Sequence, residues 1–234
     1  MENKKTIVAI VIVILLIGAL IAVSYLYNDF NTKQLELLTQ EANKILETDL
    51  KESSLDLKIK TERNYAEVEE SIKEYISNLK NIYVEMEQLA SGINPNIIFS
   101  AQNIPDKKLD GIKDIINDYK EKSQNLISEY EKLISDEKIM ENIENADISI
   151  RREYYINLYN EVMLSETIKN QYIKLEEEIK NEKGRLYDKL NKVEKMRQFL
   201  EEHEDSWTIE GDRIQFKNAN RIIEYYNLFN QIVD

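Results

Sequence analysis

The apolar positions of this chain fall into two regimes. Seventeen consecutive apolar residues, Ile7 to Val23, follow the short polar leader Met1 to Lys5. From residue 28 onward apolar positions recur instead every three or four residues, between charged ones. About twenty helical residues at ~1.5 Å each cross a hydrocarbon core of ~30 Å. The pattern predicts a leader at 1–5, a single transmembrane helix at 6–27, a juxtamembrane helix at 28–53 and a helical body at 54–234. The expected fold is mainly all-α.

Within the body, the three-four rhythm marks individual helices. Leu35, Leu38, Ala42 and Ile45 give the juxtamembrane helix one apolar face. Tyr65, Val68, Ile72, Tyr75, Leu79, Ile82, Met86 and Leu89 form a seam ending before Gly92, with Thr61 as its expected N-cap. A second seam runs from Leu109 to Leu133, with Ser123 in one slot and Pro105 expected in its first turn. Ser135 and Asp147 are expected to cap two short helices. A third long seam runs from Ile168 to Leu200, with Gly184 marking a bend or a close helix contact. Asn218 is expected to cap a last helix carrying Ile222, Tyr225, Tyr226, Phe229 and Ile232.

Two stretches alternate with period two instead. Trp207 to Phe216 reads as a hairpin with Gly211 at the first turn position, where a positive φ is needed. That register places Trp207 opposite Phe216 and Ile209 opposite Ile214, all on one side. Leu55, Leu57 and Ile59 alternate with polar residues, so 55–60 reads as a strand, a continuous helix being the alternative. An isolated hairpin is marginal in water. The expected sheet therefore has three strands, from 55–60 and 206–217. Helical segments 135–145 and 148–164 then carry the chain back along an elongated up-down-up-down antiparallel bundle. The sheet is expected near the membrane, and the loop 93–104 at the opposite end.

Charge sets the expected orientation. Lys4 and Lys5 precede the apolar run, and Lys33 is the first basic residue after it. The positive-inside rule then places the amino terminus in the cytoplasm and residues 28–234 outside. Secretion after cleavage behind Ala22-Val23-Ser24 is the alternative. The whole chain carries −13, and Glu2, Lys4 and Lys5 make residues 1–27 +1, which leaves −14 on the remainder. Such a surface repels phosphate backbones, which disfavours nucleic acid as a partner. There is no cysteine, so stability rests on packing.

The sequence carries no enzyme signature. His203 is the only histidine, too few for a paired Glu-x-x-His metal site, and no glycine-rich phosphate loop is present. No metal, no cofactor and no catalysis are expected. The outline of one anchor followed by a helical body resembles the bacterial LemA family. That family's Arg-rich stretch and Leu-Ile-Pro-Asn motif are absent, so none of its properties is carried over.

What remains is an interaction protein. The expected partners are the lipid bilayer, through residues 6–27, and another protein of a bacterial cell envelope. The alternative is an extracytoplasmic ligand-binding or sensor domain acting through a partner membrane protein. Ile97, Ile98 and Phe99 are unusually apolar for a bundle connection. They either plug the end of the bundle or form a docking loop.

Overall fold

The computed structural model describes residues 27–47, 55–211 and 213–233. The predicted leader and, apart from Tyr27, the predicted anchor lie outside the described residues, as do residues 48–54. Among the described residues no helix is long and apolar enough to cross a membrane.

The described chain is mainly helical, with one small antiparallel sheet. Helix α1 covers residues 27–47. It is followed by α2 (Asn64–Ser91), the single turn α3 (Pro95–Ile98), a 3-10 turn at Pro105–Lys107, and α4 (Asp110–Leu133). Next come α5 (Asp136–Glu144), α6 (Arg152–Met163) and the 37-residue α7 (Glu166–Glu202). Strands β1 (Trp207–Glu210) and β2 (Arg213–Phe216) and helix α8 (Ala219–Val233) complete it.

Two apolar clusters divide the molecule lengthwise. The first holds Leu38 and Ile45 of α1, Tyr65 to Met86 of α2, Leu126 and Tyr130 of α4, and Ile168 to Ile179 of α7. The second holds Ala90, Ile112 and Ile116 of α4, Leu186 to Leu200 of α7, Trp207, Tyr225 and Ile232. Between them lie buried polar side chains, Ser123 of α4 and Glu182 of α7. Order along the clusters fixes direction: α2 and α7 both run from the α1 end to the hairpin end, and α4 runs back.

Among the described residues after α1, the long helices are therefore α2, α4 and α7, running up-down-up, which corrects the predicted up-down-up-down arrangement. The physical reason is length. At ~1.5 Å per residue, α5 and α6, with 9 and 12 residues, span only ~14 and ~18 Å, against ~36 Å for α4. Neither retraces the bundle. Both fold into the first cluster through Ile139, Ile143, Tyr155, Tyr159 and Met163, and α7 starts from that same end.

The predicted third strand is likewise corrected. Residues 55–60 form no strand, and the sheet has two. Leu55 packs on the first cluster while Trp207 belongs to the second, so the two segments sit at opposite ends. Side chains occupy the backbone groups that a strand partner would have used: Glu69 accepts from the Lys60 and Thr61 N–H groups, and Lys73 donates to the Lys58 carbonyl. Consequently Thr61 does not cap α2. Arg63 stands there with φ 54°, outside the usual range for a side-chain-bearing residue.

Other local expectations divide by mechanism. Ser135 caps α5 as expected, its side chain accepting from the Lys138 N–H, and Ser165, not expected as a cap, accepts from the Ile168 N–H at the start of α7. Asn218 Oδ1 accepts from the Asn220 N–H at 2.8 Å ahead of α8. Asp147 does not cap α6, which begins after Arg151 in the left-handed region. Pro105 opens the 3-10 turn rather than α4, and Asn94 with Pro95 instead open α3. Gly184 has open space around it within the continuous α7, so no close helix contact is built there.

Candidate functional site

The two ends of the bundle treat their polar and apolar groups differently. At the α1 end, Lys73 of α2 is buried between two carboxylates. Its ammonium donates to Glu41 of α1 at 2.9 Å, to Glu69 one helical turn away, and to the Lys58 carbonyl at 2.8 Å. Those three acceptors use all its protons. Glu69 in turn accepts from the Thr61 N–H and the Thr61 hydroxyl, each at 2.8 Å. Glu41 also holds the exposed Lys44.

Burial alone raises the Glu69 carboxyl. Hydrogen bonds from Lys73 and from the Thr61 and Lys60 backbone outweigh it and hold the group below its ordinary value. Burial also disfavours charge on Lys73, but Glu69 and Glu41 hold its ammonium above the usual lysine value. Each of these buried charges thus has its partners within the chain. The network ties α1 and segment 58–61 onto α2. Two arginines add to this attachment: Arg63 lies 4.6 Å over the Phe30 ring and Arg151 lies 5.9 Å over Tyr27.

The hairpin end carries the candidate site. β1 and β2 pair in the register Trp207 with Phe216 and Ile209 with Ile214, and Glu210 with Arg213 closes the turn. Gly211 sits there at φ +65°. Trp207 is fully buried, and its indole N–H donates to the Leu200 carbonyl at 2.8 Å. The Lys107 ammonium lies 4.9 Å from the Trp207 ring centroid. The hairpin's apolar side is covered by the end of α7 and by α8, through Phe199 against Phe216 at 5.8 Å and Phe216 against Tyr225 at 5.3 Å. This cover replaces the third strand that the sequence suggested.

Beside this hairpin opens a cleft of about 410 Å³. Its walls are Pro95, Asn96 and Phe99 from the α3 turn, Arg213 to Phe216 of β2, and Ile222, Tyr225, Tyr226 and Phe229 of α8. That volume lies within the ~300–1,000 Å³ of small-molecule and cofactor sites. Arg213 is the one charged side chain among these lining residues. Around the cleft, Ile97 (63% exposed), Ile223 (60%) and Tyr226 (53%) leave apolar surface in water.

The residues singled out from sequence are distributed across this end. Ile98 and Phe99 are buried, Ile97 points outward, and Phe99 lines the cleft together with Ile214 and Phe216. Ile209 and Ile214 are half-buried and Gly211 is exposed. In the sequence, Ile222 reads only as part of the α8 seam, and Tyr226, paired with Tyr225, reads as a core-edge residue with ligand binding as the alternative. The loop and the sheet share one end, which corrects their predicted placement at opposite ends. His203 ends α7, its ring 4.8 Å from Phe199, and no metal-binding cluster occurs among the described residues.

A second cleft of about 410 Å³ lies between α2 and α4 at mid-height. Glu85, Gln88, Lys122, Asn125 and Glu129 line it together with Leu89, Tyr119 and Leu126. Compared with family models, curated proteins and solved structures, the chain matches none.

Proposed function

We propose that this chain is a membrane-tethered interaction protein of a bacterial cell envelope, and that it binds protein through the aromatic cleft at the hairpin end. The observation that carries the reading is the contrast between the ends: at one the buried charges find their partners within the chain, and at the other an aromatic-walled cleft opens beside the exposed Ile97 and Ile223. Exposed apolar surface around a concave site is a mark of binding surfaces.

The tether rests on the apolar run Ile7 to Val23. The chain enters the body at Tyr27, whose helix packs at the α1 end. α2 has 28 residues, so the cleft stands roughly 42 Å further along the bundle. In this arrangement the body lies outside the cytoplasm and the cleft faces away from the bilayer.

A ligand-binding or sensor role acting through a partner membrane protein is the second reading. It is supported by the charged and amide side chains Glu85, Gln88, Lys122, Asn125 and Glu129 at the α2–α4 cleft. Crosslinking separates the two. A photoreactive residue at Tyr226 in native membranes captures a discrete protein under the first reading. Under the second, the crosslinker at Tyr226 captures none, and polar solutes raise the melting temperature of the full chain unless Lys122 is changed to Glu.

A further inference from the structure

The ladder of the hairpin determines what the cleft is built to hold. The Lys217 N–H donates to the Ser206 carbonyl at 3.0 Å, extending the pairing of Trp207 with Phe216 by one residue. In an antiparallel pair, bonded and non-bonded residue pairs alternate. Bonding at 206 with 217 therefore places 208 with 215 and 210 with 213 among the bonded pairs. Ile214 and Phe216 fall in the non-bonded pairs, so their N–H and C=O groups point away from β1. Among the described residues no hydrogen-bond partner meets these four groups. They form the outer edge of β2, and all four β2 residues line the cleft.

We infer that the cleft binds an extended segment of another protein, which adds to the outer edge of β2 as a third strand. The inference rests on the proposed protein-binding role of this cleft. An edge of unpaired backbone groups selects extended backbone. Beyond it, Phe99, Tyr225 and Phe229 provide the apolar wall that alternate side chains of such a strand would meet. Arg213 lies on the opposite face of β2 from Ile214 and Phe216, because neighbouring strand residues alternate. The segment is therefore apolar on one face, polar on the other, and acidic beside Arg213. A second copy of this chain is disfavoured, since two bodies of −14 repel. Tyr27, the first described residue, lies at the far end of the bundle beside Arg151.

The test uses the full chain in detergent and an end-blocked peptide, Asp-Val-Thr-Val-Thr-Val-Asp, with binding read by fluorescence anisotropy. Two further peptides carry backbone N-methyl groups, one on all three valines and the other on the two threonines. Strand addition requires that only alternate residues donate to β2. One methylated peptide should then lose affinity by about tenfold or more, the other staying within about twofold. Arg213→Glu should weaken the unmethylated peptide by about tenfold. If the methylated peptides bind alike, or if none of the peptides binds, strand addition is wrong. The Tyr226 crosslink then separates the outcomes: protein capture leaves the interaction role standing without strand addition, and absence of capture removes both.

Discussion

The α1 end and the hairpin end are built from the same kind of helix seam, yet they solve opposite problems. At the α1 end, a lysine and two glutamates are buried, and each charge finds its partners within the chain. At the hairpin end, Trp207 and the α7 terminus are equally well buried, but β2, α3 and α8 leave a cleft between them. Apolar side chains also reach solvent at the α1 end. There Tyr27 lies under Arg151, and Tyr154 packs edge-on against Tyr155 at 5.1 Å. The difference teaches that exposure alone does not locate a binding surface. What sets the hairpin end apart is a concave wall beside a strand edge that no described residue pairs.

The comparison is broken most severely by removing its anchors. Trp207→Ala deletes the largest fully buried side chain of the hairpin end and leaves the Leu200 carbonyl without the indole N–H. Truncating a buried tryptophan costs about 3–5 kcal/mol. Urea unfolding of the detergent-solubilised chain, followed by far-UV circular dichroism, should show a loss of that size. At the α1 end, Lys73→Met leaves Glu69 buried without its cation and Glu41 with the exposed Lys44 alone. Breaking one side of a buried pair costs roughly 3–5 kcal/mol, here nearer the lower figure because Glu69 keeps its backbone donors. Trp207, the only tryptophan, reports the hairpin end in that variant. Its fluorescence transition should coincide with the dichroism transition if the ends unfold together.

pH sharpens the contrast. Glu69 and Glu41 are held below the ordinary carboxyl value of 4.5, despite burial, by hydrogen bonds from lysine ammonium groups. Their contribution to stability is therefore fully present above about pH 4.5 and lost as pH falls through their folded values. Lys73 is held above 10.5, so its contribution is present below that pH and lost only as pH rises past its folded value. Acid titration should lower the urea midpoint of the native chain below about pH 4.5, and Lys73→Met should reduce that loss.

Much of the local architecture was legible in the sequence because it is decided over a few residues. The hairpin register follows from Gly211 and from the alternation of Trp207, Ile209, Ile214 and Phe216. Ser135 and Asn218 act as caps because the donor each serves lies two or three residues ahead. Helix direction was not legible, since a seam reads the same both ways and only the brevity of α5 and α6 reverses the expected order. The alternation at 55–60 misled because period two describes an extended chain, not its partner. Here the partners are carboxylate and ammonium groups. Those groups were themselves hidden: Glu69 and Lys73, four apart, look like a solvated pair until α1 and segment 58–61 close over them. The candidate cleft was half legible. Phe99 and Phe216 each stood out, but nothing local announced that they face one cavity.

The smallest expected effect on stability lies at the open surface. Ile97→Ser and Ile223→Ser remove side chains that are mostly in water, so each should change stability by less than about 0.5 kcal/mol. The double change Ile98→Ser with Phe99→Ser, at two buried positions, should destabilise clearly in the same urea assay. Equal losses for the exposed and buried changes would contradict the placement of this turn.

The central claim is that binding is confined to the hairpin end. It is tested most directly by placing a photoreactive benzoyl-phenylalanine at Tyr226 and, separately, at Ile150, which is 67% exposed outside the cleft. Illumination of native membranes should give discrete protein adducts from Tyr226, competed by the alternating peptide, and none of those adducts from Ile150. The same adducts from both positions, or adducts from Ile150 alone, would contradict the account.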